Sequence, residues 1–203
     1  MKTYRELAAG VIFEKKGFTM KLKDKPEELE LIGKGRSAFA FKIRSTNIVL
    51  KVFFPSHLSI VNEEAMIYKI LNGNPYYPKM YDYGTNFIAI DYIDGDTLFQ
   101  CLTTGKYISK QHIVEIDRAL KLARESGLNP SDVHLRNILI TDDGHIKLID
   151  VARFRQTGTC TQWNDLKRAY KYYRKVYCPK QLPSYLLNCI AFLYKKRMLR
   201  VLL

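Results

Sequence analysis

Asp132, Asn137 and Asp150 are the residues of this chain whose types and spacing could do chemistry, and they fall in one stretch, Pro130 to Phe154. At its centre Asp143-Gly144 favours the φ > 0 geometry of a two-residue hairpin turn. Short β-prone runs flank it, Ile138-Leu139-Ile140-Thr141 and His145-Ile146-Lys147-Leu148-Ile149. With that turn, Asp142 pairs with His145 and, counting outward, Asn137 pairs with Asp150. The two side chains would then close the open end of the hairpin, with Cβ atoms roughly 4.5–5.5 Å apart. Hard oxygen ligands at that spacing suit a Mg²⁺ or Mn²⁺ ion that also holds phosphates. Asp132, on the entering loop, could face a substrate hydroxyl. The set outlines phosphoryl transfer. The same residues also suit ordinary turn chemistry, and this stretch alone leaves both readings open.

The elements that would position these groups can be read from the rest of the chain. Residues 3–9 suit a short helix, and Val11–Phe13 with Phe18–Leu22 suit a first hairpin. Leu29 to Phe41 reads as two strands joined through a glycine turn, where Gly33 and Gly35 would let backbone amides approach a polyphosphate. A plain hairpin turn is the alternative; no strand-to-helix passage follows these glycines and no GKS or GKT is present, which argues against a Rossmann fingerprint and a Walker loop. Lys51 lies inside the apolar β run Asn47–Phe54. An unpaired ammonium there costs several kcal/mol to desolvate, so it needs a partner unless the strand is an edge and the lysine stands in water. The following helix, Ser59–Leu71, carries Glu63 and Glu64, and a buried Lys–Glu pair would aim the lysine at α/β-phosphates. Strands at Lys79–Gly84 and Asn86–Asp91 precede a connector broken by Gly95. Helices are expected at 97–103, 109–126, Asn164–Tyr177 and Ser184–Leu203.

Composition sets the bounds. The 203 residues, 47% hydrophobic, can bury a core as one domain or two intimate lobes. No apolar leader opens the chain, and the longest apolar stretch, Tyr185 to Tyr194, is too short to span a bilayer. Four cysteines form neither a C-x-x-C nor a zinc spacing, so reduced thiols and a cytoplasmic location are expected. Charge is lopsided: from Val151 onward there are 12 basic residues and one acid, whereas the preceding 150 residues hold 21 and 19. The basic region 153–200 therefore suggests an anionic partner, whether nucleic acid such as a ribosome carries, an anionic membrane surface or an acidic protein. A solvated helical face is the plainer alternative.

Taken in order, these residues resemble the protein-kinase superfamily: glycine loop (Gly33, Gly35), strand lysine (Lys51), helix glutamate, the Asp-x₄-Asn catalytic loop (Asp132, Asn137), then Asp150 where that family has its D-F-G aspartate. The resemblance implies an α+β, bilobal protein-kinase-like fold. Its antiparallel-sheet N-lobe would span 1–93, and a truncated, mainly helical C-lobe 94–203. It implies ATP and Mg²⁺ (or Mn²⁺) as cofactors. Asp132 would orient or deprotonate the acceptor hydroxyl, while Asn137 and Asp150 would hold the metal. Lys51 would contact the α/β-phosphates, anchored by Glu64, preferred over Glu63 because Ile67, Tyr68 and Leu71 share its helical face. Asp91 to Ile93 would be the hinge meeting adenine through backbone groups, with Asp91 and Ile93 as binding residues. Asp165 resembles the helix aspartate that braces the catalytic loop.

Departures accompany the matches. Pro130-Ser131 replaces His-Arg before the catalytic aspartate, His134 stands where serine/threonine kinases carry a lysine, and Ala38 replaces the third loop glycine. The segment after Asp150 is short and lacks A-P-E. The chain is most similar to short atypical serine/threonine kinases, including the RIO type, the type that works with a tRNA-modification complex and small bacterial proteins. An ATP-dependent serine/threonine protein kinase capable of autophosphorylation is the activity implied. The alternatives are a small-molecule kinase of aminoglycoside or sugar type, and an ATPase-like binding module whose basic tail docks RNA or a ribosome.

Overall fold

The computed structural model describes residues 2–196, and the expected continuation of the last helix to Leu203, with Arg197 and Arg200, lies outside them. The chain divides into two compact units, Met1–Ile93 and Asp94–Leu203.

The first unit opens with α1 (Tyr4–Ala9), started by a reciprocal cap in which Thr3 Oγ1 accepts from Glu6 N and Glu6 Oε2 accepts from Thr3 N. The hairpin β1 (Ile12–Lys16) and β2 (Thr19–Asp24) turns at Gly17, whose φ is +64°. A five-stranded antiparallel sheet follows: β3 (Leu29–Lys34), β4 (Ala38–Ile43), β5 (Ile48–Phe53), β6 (Met80–Tyr83) and β7 (Phe87–Asp91), in spatial order β3-β4-β5-β7-β6. Between β5 and β6, a 3₁₀ turn at Pro55–His57 leads into α2 (Leu58–Ile70).

Alternation along β5 explains its unbroken apolar sequence. Leu50, Val52 and the following Phe54 point into a cluster with Leu7, Ala8 and Val11, roofed by α1 and the β1–β2 hairpin. The Phe13 ring meets Phe39 and Phe54 edge-on, at 5.5 and 4.9 Å between centroids. Val49, Lys51 and Phe53 point to the opposite face, where α2 lies. A strand covered on both faces must be apolar at every position but the one that has a job.

The second unit holds β8 (Gly95–Thr97), α3 (Leu98–Thr104), α4 (Lys110–Glu125), β9 (Ile138–Thr141), β10 (Ile146–Leu148), α5 (Gln162–Tyr173) and α6 (Ser184–Lys195). Capping boxes at Thr97 and Ser109 start α3 and α4. The expected connector around Gly95 is instead a short strand on β9, giving the sheet order β10-β9-β8. Molecule-wide, the α+β class with an antiparallel multi-stranded sheet is as expected.

The expected hairpin register needs correction by one residue. Thr141 pairs with His145 (Thr141 N to His145 O, 2.9 Å), leaving a three-residue loop, Asp142-Asp143-Gly144. Gly144 N donates to Thr141 O at 2.9 Å and takes φ +82°, which is the three-residue hairpin that ends in a left-handed residue. The Thr141 hydroxyl accepts from His145 N at 3.0 Å and contacts the Asp143 carboxylate, locking this loop. Ladder partners are thus Ile140–Ile146, Leu139–Lys147 and Ile138–Leu148. Asn137 faces Ile149, whose N–H it accepts at 2.9 Å, and Asp150 falls one residue beyond.

Candidate active site

In the first unit, Lys51 is paired on both sides within the sheet, with Ala40 on β4 and Ile88 on β7. Its Nζ donates to both carboxylate oxygens of Glu64, at 2.7 and 2.8 Å. Glu64 is fully buried on the α2 face that also carries Val61, Ala65 and Tyr68, whereas Glu63 points to solvent. The lysine side chain keeps 15% exposure, so the buried anion is answered by a cation that still reaches the surface. Such a pair is costly to assemble for stability alone, because desolvation of both charges offsets most of their attraction.

Gly33 sits at a register shift opposite Ala40, where a Cβ would meet only the Ala40 methyl at 3.4 Å. Gly35 is demanded by the turn itself: its N–H donates to Ala38 O, and a Cβ would come within 2.9 Å of that oxygen. Asp91 ends β7 with its carboxylate committed to β6, accepting from Lys79 N and from the Tyr81 hydroxyl at 2.7 Å each. The Tyr81 hydroxyl is held above its ordinary pKa by that hydrogen bond. Ile93 is the last residue of the unit.

In the second unit, the loop 132–137 closes on itself. Asn137 N donates to His134 O at 2.9 Å, and Asn137 Nδ2 donates to Asp132 O at 3.3 Å, a bond that does not use its amide oxygen. Arg136 N donates to His134 Nδ1 at 3.3 Å, so Nε2 carries the imidazole proton. That Nε2 lies 4.0 Å from Asp132 Oδ1, and Arg153 Nε lies 3.6 Å from Oδ2. Asp132 and Asp150 both adopt φ +61°, two of three non-glycine residues with positive φ among the described residues. Strain of this kind costs of order 1–3 kcal/mol and gathers at working sites. Asp150 is exposed between half-buried Ile149 and buried Val151.

Three features escaped sequence reasoning. Arg153 stands beside Asp132, although the sequence shows it only as one more basic residue after Asp150. Arg136 covers the Phe99 ring at 3.5 Å and donates to Asn188 Oδ1 at 2.8 Å, tying the loop to α3 and α6. Asp165, expected to brace the catalytic loop, instead accepts from Thr161 and from the Tyr194 hydroxyl at 2.7 Å, with Arg168 at 3.6 Å. It fastens α6 to the first turn of α5. The cysteines are free thiols, and burial pushes Cys101 above its ordinary pKa.

Its relatives mark the chain as a kinase, and it belongs to the protein-kinase superfamily. It is 49% identical over 193 residues to YrzF of Bacillus subtilis, a protein named provisionally as a serine/threonine-protein kinase, covering 94% of this chain and 90% of that one. Similar provisional names belong to CPE1738 of Clostridium perfringens, 27% identical over 72% of this chain, and CA_C1728 of Clostridium acetobutylicum, 27% identical over 81%. This chain spans only 24% and 27% of those two proteins. No family model matches the sequence.

Proposed function

We propose that this kinase is an ATP-dependent phosphotransferase that moves the γ-phosphoryl group onto a serine or threonine hydroxyl of a protein, its own chain included. The observation that carries the reading is Lys51 held bidentately by a fully buried glutamate, an arrangement with poor return in stability and an evident use in gripping α/β-phosphates.

The residues of the second unit fit a divalent cation. Asn137 has its amide nitrogen engaged in a bond that leaves its oxygen as an acceptor, and Asp150 is exposed. Among the described residues no cluster of three or more His, Cys, Asp or Glu could hold an ion unaided. Mg²⁺ suits such a sparse site, since it takes one or two protein oxygens and completes its shell with phosphate and water. When bound, it would neutralise charge on the phosphates.

Asp132 orients the acceptor hydroxyl through one carboxylate oxygen. The hydroxyl oxygen forms the new P–O bond as the bond from phosphorus to the β,γ-bridging oxygen breaks. The hydroxyl proton passes to Asp132, and ADP leaves with the bond electrons. Arg153 and His134, on either side of the carboxylate, fix its direction. Asp91 and Ile93 would meet adenine through their backbones, the carboxylate of Asp91 being engaged elsewhere.

Incubating the full chain with labelled ATP and Mg²⁺ tests this. Transfer to the chain itself or to an added protein is expected, recovered as phosphoserine or phosphothreonine. It should fall by roughly 10²–10⁴-fold in Asp132→Ala and vanish in Asp150→Asn. Undiminished transfer in either variant, or label appearing only on small hydroxylated compounds, would overturn the reading.

A further inference from the structure

Helix α6 is built the wrong way round for a helix whose partner is its own protein. Leu187 is its one buried residue, and Tyr194, seven positions on, lies on the same inward face. Turned away from them, at spacings of four, three and four, are Tyr185, Cys189, Phe192 and Lys196, with Tyr185 71% and Phe192 58% exposed. Leu186 and Ile190 continue the apolar surface along one flank. Lys196 Nζ stands 5.6 Å from the Phe192 ring centre, and Lys195 adds a second cation at the same end. Lys171, Arg174 and Lys175 on and after α5 have no carboxylate partner among the described residues, while Asp165 is already bonded to Arg168 and Tyr194.

We propose that this face docks on an anionic lipid surface, with the aromatic and aliphatic side chains in the headgroup boundary and the lysines on lipid phosphates. The chemistry of the face selects that occupant. Exposed leucine and isoleucine offer nothing to a phosphodiester backbone or to a base, which disfavours nucleic acid. A second copy would set one strongly cationic surface against another. No helix among the described residues is long and apolar enough to cross a membrane, so the contact lies in the interface plane. The inference does not depend on the catalytic reading.

The test uses the full chain with vesicles of phosphatidylcholine, alone or with phosphatidylglycerol. Co-sedimentation should require phosphatidylglycerol, weaken with added salt, and drop at least about tenfold in Ile190→Ser/Phe192→Ser. A polarity-sensitive dye on Cys189, in a chain carrying Cys160→Ser and Cys178→Ser, should shift to the blue on those vesicles. Phosphotransfer in solution should be unchanged in the serine variant, which separates lost docking from lost folding. Absent vesicle binding, binding untouched by the two serines, a stable dimer that shields Cys189, or retention by single-stranded RNA but not by vesicles would each overturn the proposal.

Discussion

Glu64 holds a carboxylate where water does not reach, and Lys51 is what makes that tolerable. Removing one partner strands the other charge, whereas removing both leaves an apolar contact. Glu64→Ala should therefore destabilise the chain by about 2–4 kcal/mol in denaturant unfolding. The double variant Lys51→Met/Glu64→Leu should recover to within about 1 kcal/mol of the parent and still transfer no phosphate. Equal stability losses in single and double variants would deny the coupling. At this scale the sequence was legible wherever one residue broke the rule of its surroundings. A lysine in an apolar strand needs an anion, and helical periodicity alone put Glu64 rather than Glu63 on the inward face. Arg153 broke no such rule. It lies in a run already rich in cations, and only the path of the backbone after Asp150 brings it to Asp132.

Among the elements, strands and helices came close to their expected bounds, since amphipathic period and capping residues are local. Register was not local. Asp143-Gly144 is compatible with a two-residue turn, but the Thr141 hydroxyl bonding His145 N makes the three-residue loop the better closed one. A shift of one residue then moved every partner, so that Asn137 faces Ile149. Strand β8 was hidden for the opposite reason: Gly95-Asp96 disfavours a strand, and the short segment Gly95–Thr97 pairs because β9 is there. Gly95 adopts φ +149°, and a Cβ on it would meet Ile140 O at 2.5 Å. Gly144 also has positive φ but open space around it. Gly144→Ala should cost about 1–2 kcal/mol, whereas Gly95→Ala should cost distinctly more, about 3 kcal/mol or above, read from chemical denaturation. The end of α5 was placed too late because Lys180 escaped notice: its Nζ donates to Tyr173 O and Lys175 O, closing the helix.

For the molecule as a whole, what composition announced was the uneven charge, and what it hid was the double cover of the first sheet. Hairpin β1–β2 and α1 read as a prelude, yet they bury Phe39, Leu50, Val52 and Phe54. At roughly 1.5–3 kcal/mol for each such side chain, uncovering these four amounts to much of the 5–15 kcal/mol typical of a domain. A chain beginning at Lys25 should lose its cooperative thermal transition and bind a hydrophobic dye. A soluble fragment melting like the parent would show the cover to be dispensable.

The same cover bears on how the chain comes to be folded. Helix α1 rests on β5 and on β7, which ends at Asp91. On the ribosome, residues 4–24 meet only part of this seat until β7 has been made. During that interval Leu50 and Phe54 lack the Phe87 and Ala89 side of their cluster. The segment that precedes the sheet in the chain thus has its seat completed only by the last strand of the unit, and a pause in synthesis before Asp91 would leave an apolar surface without part of its cover.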